Sequence, residues 1–178
     1  MRHIISILLE NEAGALSRVS GLFSARGYNI ESLTVAPTDD ATMSRITVVT
    51  DGSDNVIEQI EKQLNKLVDV VKVLDLTADE HIEREIVLLK LFNSKMSQPV
   101  LELLSNEYGG KVMDCSDDTI VVEITGVGKK LDRAIQSVPG EAICELVRSG
   151  ALGIATGSGD ILNSESAYTG SEAKGESA

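Results

Sequence analysis

The amino-acid sequence contains one order of strand-like and helix-like segments twice, and this duplication constrains the fold more than any other feature. Short β-branched and aliphatic runs predict strands, and apolar residues spaced three or four positions apart predict amphipathic helices. In the first half, strands are predicted at residues 3–9, 29–36, 43–50 and 70–74, with helices at 16–26 and 56–67. In the second half, strands are predicted at residues 82–92, 111–115, 119–125 and 142–147, with helices at 97–108 and 131–138. Each half therefore has the order βαββαβ.

This order predicts an α+β protein made of two ferredoxin-like domains in tandem. Four strands with two helices on the same side give each amphipathic helix a sheet face to cover, with right-handed crossovers. We expect the domains to cover residues 1–76 and 77–156. The halves share an element order but little residue identity, so they are similar folds and not a sequence repeat. Residues 157–178 are rich in Gly, Ser, Glu and Ala, which predicts a mostly disordered tail.

The first predicted strand is apolar on both sides. Ile5, Ile7 and Leu9 face one way, and Ile4 and Leu8 face the other. The predicted helices cover only one face of the sheet, so we expect another domain or subunit to cover part of the second face. Small domains bury a limited fraction of their surface, which also favours an oligomer.

Composition excludes several classes of function. The formal net charge is -12, which disfavours binding to a nucleic-acid backbone, and aromatic residues make up only 3% of the chain. No apolar stretch reaches the roughly 18 residues of a membrane span, and the N-terminal residues do not resemble a secretion signal, so we expect a cytoplasmic protein. Cys115 and Cys144 lack metal-ligand or redox-motif spacing, and we expect both to be buried reduced thiols.

The turn after the first predicted strand is the most informative segment for function. Asn11 lies three residues before Gly14, and a helix is predicted to follow. Free N–H groups and the positive dipole end of a helix N-terminus attract an anion, and no basic residue in the turn favours a multiply charged phosphate. The turn therefore suits the carboxylate of an α-amino acid. A purely structural interpretation is also open, in which Asn11 caps the helix and Gly14 satisfies the turn.

Two long segments carry a resemblance to a known family. Residues 9–19 read LENEAGALSRV and residues 21–35 read GLFSARGYNIESLTV, and similarity continues through residues 36–40, 58–64, 66–70 and 84–90. These segments resemble the small subunits of acetolactate synthase, a family of regulatory proteins with an ACT domain. The similarity is looser over residues 92–147, returns at 148–150 and does not cover the tail.

The resemblance implies a homodimer in which two ACT domains lie side by side and extend one sheet. The first domain would be the ACT domain, and an amino-acid effector, usually valine and otherwise isoleucine or leucine, would bind at the subunit boundary. Carried over by position, one subunit would hold the effector with Asn11 and the backbone of Gly14, Ala15 and Leu16, and its partner would supply Asn29 and Ile30. Without the resemblance, the favoured interpretation of Asn29 is a turn residue at the start of an edge strand.

The implied function is regulatory. A chain of this family activates the catalytic large subunit of acetolactate synthase and confers feedback inhibition by valine in branched-chain amino acid biosynthesis. Thiamine diphosphate, FAD and Mg are expected only in that large subunit, and no cofactor, metal site or catalytic residue is expected here. His3 and His81 lack metalloprotease spacing, and the paired aspartates at residues 39–40 and 117–118 occur in turns. An alternative is an ACT-domain amino-acid sensor that regulates a different partner.

Overall fold

The computed structural model describes residues 1–157 and residue 161. The strands are β1 Arg2–Glu10, β2 Ser32–Pro37, β3 Met43–Asp51, β4 Val70–Asp75, β5 His81–Phe92, β6 Lys111–Cys115, β7 Thr119–Gly126, β8 Ile143–Arg148 and β9 Leu152–Ala155. The α-helices are α1 Ala15–Arg26, α2 Asp54–Leu64, α3 Gln98–Asn106 and α4 Gly128–Gln136. Short 3-10 turns cover Leu76–Ala78, Asn93–Lys95 and Gly140–Ala142. The two βαββαβ units predicted from the sequence are confirmed.

The first unit is an antiparallel sheet with the strand order β2-β3-β1-β4. Helices α1 and α2 cover one face through an apolar stripe that includes Val19, Phe23, Ile57, Ile60 and Leu64. These side chains pack on alternate residues of the strands, because successive residues of a strand point to opposite faces. Strand β2 is the edge of this sheet next to β3.

The second unit repeats the arrangement in the order β6-β7-β5-β8, with α3 and α4 over its core. Strand β5 is long enough to belong to two ladders. Its later part pairs with β7 and β8, and its first four residues pair with β9, as in the His81 to Ala155 pairing.

The chain's own C-terminal segment covers part of the helix-free face of the first sheet. Ile4 and Val49 pack there against Leu76 and Ala151 in a separate apolar cluster. Ala151 also accepts a hydrogen bond from the Thr34 hydroxyl through its carbonyl oxygen at 3.0 Å. The predicted cover on this face therefore comes from within the same chain, and it requires no second subunit.

The structure differs from the sequence-based expectations at two places. Strand β2 begins at Ser32, so Asn29 and Ile30 precede it. The prediction that both cysteines are buried is wrong, because Cys115 and Cys144 are exposed on β6 and β8, the two edge strands of the second sheet. The predicted disordered tail lies outside the described residues, apart from residues 157 and 161. Within the described part of the chain, no helix is both long and apolar enough to cross a membrane.

The contact between β9 and the first sheet is tight enough to test by a single methyl group. A Cβ added at Gly153 would lie 2.5 Å from Cδ1 of Leu76 and 3.3 Å from Cγ2 of Ile4. We expect Gly153→Ala to lower the free energy of unfolding by about 1–3 kcal/mol, because overpacking forces buried neighbours to move. Gly140→Ala is the control, since a Cβ there meets no atom within 4 Å. Equal stability of both variants in urea titrations would contradict this account of the interface.

Candidate functional site

Gly14 makes the turn between β1 and α1 possible. It is the N-cap residue of α1, with φ 87° and ψ -8°. Residues other than glycine rarely adopt this left-handed backbone conformation. A Cβ at this position would also lie 3.1 Å from Nη1 of Arg18. The backbone of Gly14 is therefore open to close approach by a ligand, and a side chain there would obstruct it.

The N-terminus of α1 presents unpaired donors at this turn. The Ala15 N–H donates to Glu12 O at 3.2 Å and the Arg18 N–H donates to Gly14 O at 3.0 Å. The N–H groups of Leu16 and Ser17 have no acceptor among the described residues. Since α1 has 12 residues, its aligned peptide dipoles add a partial positive charge at the same place. These groups together suit a carboxylate.

Arg18 adds a cation that the sequence did not predict for this site. Its guanidinium donates to the Asp69 carboxylate at 2.5 Å from Nε and 2.7 Å from Nη2. Its third nitrogen, Nη1, has no acceptor among the described residues and lies beside Gly14. Hydrogen bonds from Arg18 lower the pKa of the buried Asp69 carboxyl, and those same bonds raise the pKa of Arg18. Arg18 lies four residues after Gly14, which is about one helical turn, and this spacing could have indicated from the sequence that Arg18 belongs to the site.

Asn11 fixes the position of the turn and does not cap the helix. Its Nδ2 donates to Ala41 O at 3.0 Å, and its Oδ1 accepts from the Ser44 hydroxyl at 3.0 Å. Its backbone N–H donates to Thr42 O at 2.7 Å. No side-chain hydrogen bond caps α1. The amide of Asn11 therefore joins the β1–α1 turn to the β2–β3 hairpin, and its carbonyl oxygen retains a second lone pair.

Asn29 and Ile30 lie at the opposite end of the same sheet. The Thr50 hydroxyl donates to Asn29 O at 2.6 Å, whereas Ser44, next to Asn11, is six residues earlier on β3. Six residues of strand span about 20 Å. The Asn29 side chain is exposed, and Ile30 packs partly on the core. The structure thus brings Asn11, Gly14, Ala15 and Leu16 together and leaves the other two predicted residues apart from them within one chain.

The βαββαβ sheet with an open helix N-terminus after its first strand is the architecture of an ACT domain. Residues 5–72 match the family model described as the AHAS small subunit-like ACT domain. Residues 84–157 match the model described as the small subunit of acetolactate synthase. The chain belongs to the family of acetolactate synthase small subunits, and its function in that enzyme is regulatory.

Individual relatives agree with this assignment over most of their length. The acetolactate synthase isozyme 3 small subunit of Escherichia coli is 50% identical over 158 residues, which covers 88% of this chain and 97% of that relative. The acetolactate synthase small subunit of Buchnera aphidicola is 49% identical over 88% of this chain and 100% of its own length. The crystal structure of the small subunit from Thermotoga maritima superposes with a TM-score of 0.79 at 35% identity, covering 86% of this chain and 96% of that one.

The described residues contain no group of three or more His, Cys, Asp or Glu side chains placed to hold a metal ion. The recognition groups at the Gly14 turn are backbone N–H groups, one amide and one guanidinium. This set can bind and orient an anion by hydrogen bonds.

The Arg18–Asp69 pair predicts a defined pH dependence of stability. Because the pKa of Asp69 is lowered in the folded chain, its carboxylate stabilises the fold above the ordinary Asp pKa of about 3.9. That contribution is lost as the pH falls through the lowered value. We expect Asp69→Asn to be less stable than the unaltered chain at neutral pH, with a difference that shrinks below about pH 4. Urea unfolding across this range measures it, with the exposed Asp39→Asn as the control; a constant difference would refute the assignment.

Proposed function

We propose that this chain acts in the cytoplasm as a homodimer that binds valine and regulates the catalytic large subunit of acetolactate synthase. It activates that subunit and confers feedback inhibition by valine, with isoleucine or leucine as the other effectors to test. In this proposal, residues 1–76 form the amino-acid-binding ACT domain and residues 77–156 form the second domain. Thiamine diphosphate, FAD and Mg belong to the large subunit.

The observation that carries the dimer proposal is the placement of the two half-sites. Asn11 and Gly14 lie at one end of the first sheet, and Asn29 and Ile30 lie at the other, on either side of strand β2. Strand β2 is an edge strand, and within the described part of the chain it pairs with β3. A second copy that pairs along this edge supplies the missing half-site at each end.

The proposed dimer has a defined strand register. An antiparallel pairing of two β2 strands, centred between Leu33 and Thr34, sets Asn29 of one subunit opposite Thr38 of the partner subunit. Within one chain, the Thr38 N–H donates to Met43 O at 2.9 Å, and the adjoining Ser44 donates to Asn11. One two-fold axis therefore brings Asn29 to the hairpin that Asn11 anchors, and it creates two equivalent sites.

The groups at the Gly14 turn match an α-amino acid. The carboxylate accepts from the N–H groups of Leu16 and Ser17, with Nη1 of Arg18 nearby, and the ammonium donates to amide oxygens such as Oδ1 of Asn11. Burial of a small aliphatic side chain contributes about 1.5 kcal/mol or more. One methylene changes affinity by roughly 1–3 kcal/mol, so the response to valine, isoleucine and leucine is graded.

Inhibition follows from linkage between effector and subunit arrangement. An amino acid that bridges two subunits binds one dimer arrangement more tightly than another. The attached catalytic subunit then shifts toward its less active state by the same free energy that separates the two effector affinities.

A sensor that regulates a different enzyme is the alternative. Co-purification discriminates between the two, because a partner that carries thiamine diphosphate and flavin supports acetolactate synthase, and a valine-binding dimer without such a partner supports the alternative. The test of the proposed activity is acetolactate formation by the large subunit, with and without this chain, across a valine titration.

Gly14→Asp should abolish inhibition by valine and preserve activation of the large subunit. The substitution places a carboxylate where the effector carboxylate binds, in a turn with a positive φ that residues with a side chain rarely adopt. Inhibition curves of the reconstituted enzyme measure the effect.

The matched control is Gly109→Asp in the second unit. Gly109 also has a positive φ, 71°, so the variant carries the same change in charge and a similar backbone penalty away from the proposed site. We expect it to keep its valine response. Undiminished inhibition in Gly14→Asp would rule out this turn as the effector site.

A mixed dimer tests whether each site is shared between subunits. Homodimers of Gly14→Asp and of Asn29→Ala should both lose valine binding. A heterodimer with one subunit of each kind regains one intact site, because one site then receives both substitutions and the other receives neither. Calorimetry on tagged, purified heterodimers should give half of the wild-type stoichiometry. No recovery of binding would place both half-sites within one chain.

A further inference from the structure

A groove crosses the helix-free face of the first sheet, next to the part of that face that β9 covers. Leu8 and Thr47 lie on this face, whereas Ile7 packs under the helices, because successive strand residues point to opposite faces. The groove has a volume of about 880 Å³ and is lined by the β2–β3 hairpin, residues 34–40, and by residues 152–154 of β9. We call it the back groove.

The back groove presents aliphatic side chains to its open space. Four of them are between 44% and 54% exposed, namely Val35, Val71, Leu152 and Ile154. Contiguous exposed apolar side chains of this kind mark a contact surface. The polar side chain in the groove, Arg45, is already engaged, since its Nε donates to the Ser6 hydroxyl at 2.8 Å and its Nη2 to Gly153 O at 3.4 Å. The groove therefore suits an apolar side chain.

Ile161 lies in the back groove. It is 8% exposed and is one of the residues that line the groove. Ile161 is also the first apolar residue of the sequence after Ala155, the last residue of β9. The four residues from Gly157 to Ile161 span at most about 14 Å, so the chain reaches the groove soon after it leaves β9.

The position of Ile161 also decides between possible occupants of the groove. The family match ends at residue 157, so Ile161 belongs to a segment that the family model does not include. A second copy or another protein could fill the groove only by displacing Ile161, whereas the chain's own C-terminal segment follows directly from it.

We propose that the back groove is the docking surface for the chain's own C-terminal segment, residues 158–178, with Ile161 as the anchoring side chain. The β2–β3 hairpin and β9 both line the groove, so an apolar side chain that fills it packs on both. Docking therefore braces the hairpin against β9. The same hairpin holds Asn11 through Ala41 O and the Ser44 hydroxyl.

Two amides of the hairpin report on this bracing in the full-length chain. The Thr38 N–H donates to Met43 O, and the Met43 N–H donates to Asp40 O, both at 2.9 Å. Ile161→Asp removes the apolar anchor and places a carboxylate in a groove that Asp39 and Asp40 also line. We expect hydrogen exchange at these two amides, followed by NMR, to become about tenfold faster or more, because the hairpin opens more often. Exchange in helix α2 should stay unchanged, which shows that the fold is retained.

Two variants are the controls for Ile161→Asp. Ile161→Leu keeps an aliphatic anchor and should keep slow exchange in the hairpin. Val112→Asp makes the same change of charge at a side chain that is 54% exposed on β6, in the second sheet, and should leave the hairpin unaffected.

Rescue in trans tests the identity of the occupant. A synthetic peptide of residues 158–178, added to the full-length Ile161→Asp chain, should restore slow hairpin exchange in a saturable titration. The same peptide with Ile161→Asp should not. An equimolar amount of unlabelled intact chain should not rescue the isotope-labelled variant either, because the segment of the intact chain is held in its own groove at a high effective concentration.

Three outcomes would overturn the proposal. Equal hairpin exchange in the unaltered and Ile161→Asp chains would show that the segment does not brace the hairpin. Rescue by the equimolar intact chain would assign the groove to a second copy. Slow exchange that appears only after addition of the catalytic subunit would assign it to that subunit.

Discussion

Burial of strand β1 on both faces determines how the rest of the structure can be used. From His3 to Leu9 every residue is buried, with the helices over one side and the Leu76 and Ala151 cluster over part of the other. Neither face of the first sheet at β1 is left to bind a partner. The proposed contact with another copy therefore uses a sheet edge, and β2 is the edge flanked by both groups of candidate effector-binding residues.

The sequence predicted the fold well because its signals are local. Helical spacing, strand alternation and the glycine after α1 lie within one element each, so the element order and the bounds of β6 were predictable. The exposure of the two cysteines was not predictable, because whether a strand is central or at an edge depends on pairing between distant residues. The pairing of β9 with β5 is also long-range, between His81 and Ala155. The second half of β5 has alternating apolar residues that indicate its place in the second sheet. The first four residues have no sequence pattern that indicates their pairing with β9.

The candidate site was predictable only in part for the same reason. The turn at Gly14 was predictable from its composition and from the helix that follows it. The contribution of Arg18 depends on Asp69, which is 51 residues away and becomes its partner only after β4 has joined the sheet. Likewise, the Asn11 amide is engaged by the hairpin at Ala41 and Ser44, and not by the adjacent helix. Residue type identified the donors, and tertiary contacts decided where each one points.

Strand β2 also connects the proposed effector edge to the second domain. On its helix-free side, the Thr34 hydroxyl donates to Ala151 O, and a Cβ at Gly150 would lie 3.1 Å from that of Ser32. Two residues earlier, Arg148 donates to the buried Glu85 carboxylate at 2.8 Å from both Nε and Nη2, which anchors the segment to β5. A displacement of β2 large enough to change its edge pairing must therefore break these contacts or carry residues 148–151 with it. Packed interfaces of this kind switch between discrete arrangements more readily than they deform. A change in strand pairing at the edge of the first sheet is therefore coupled to the position of the second sheet.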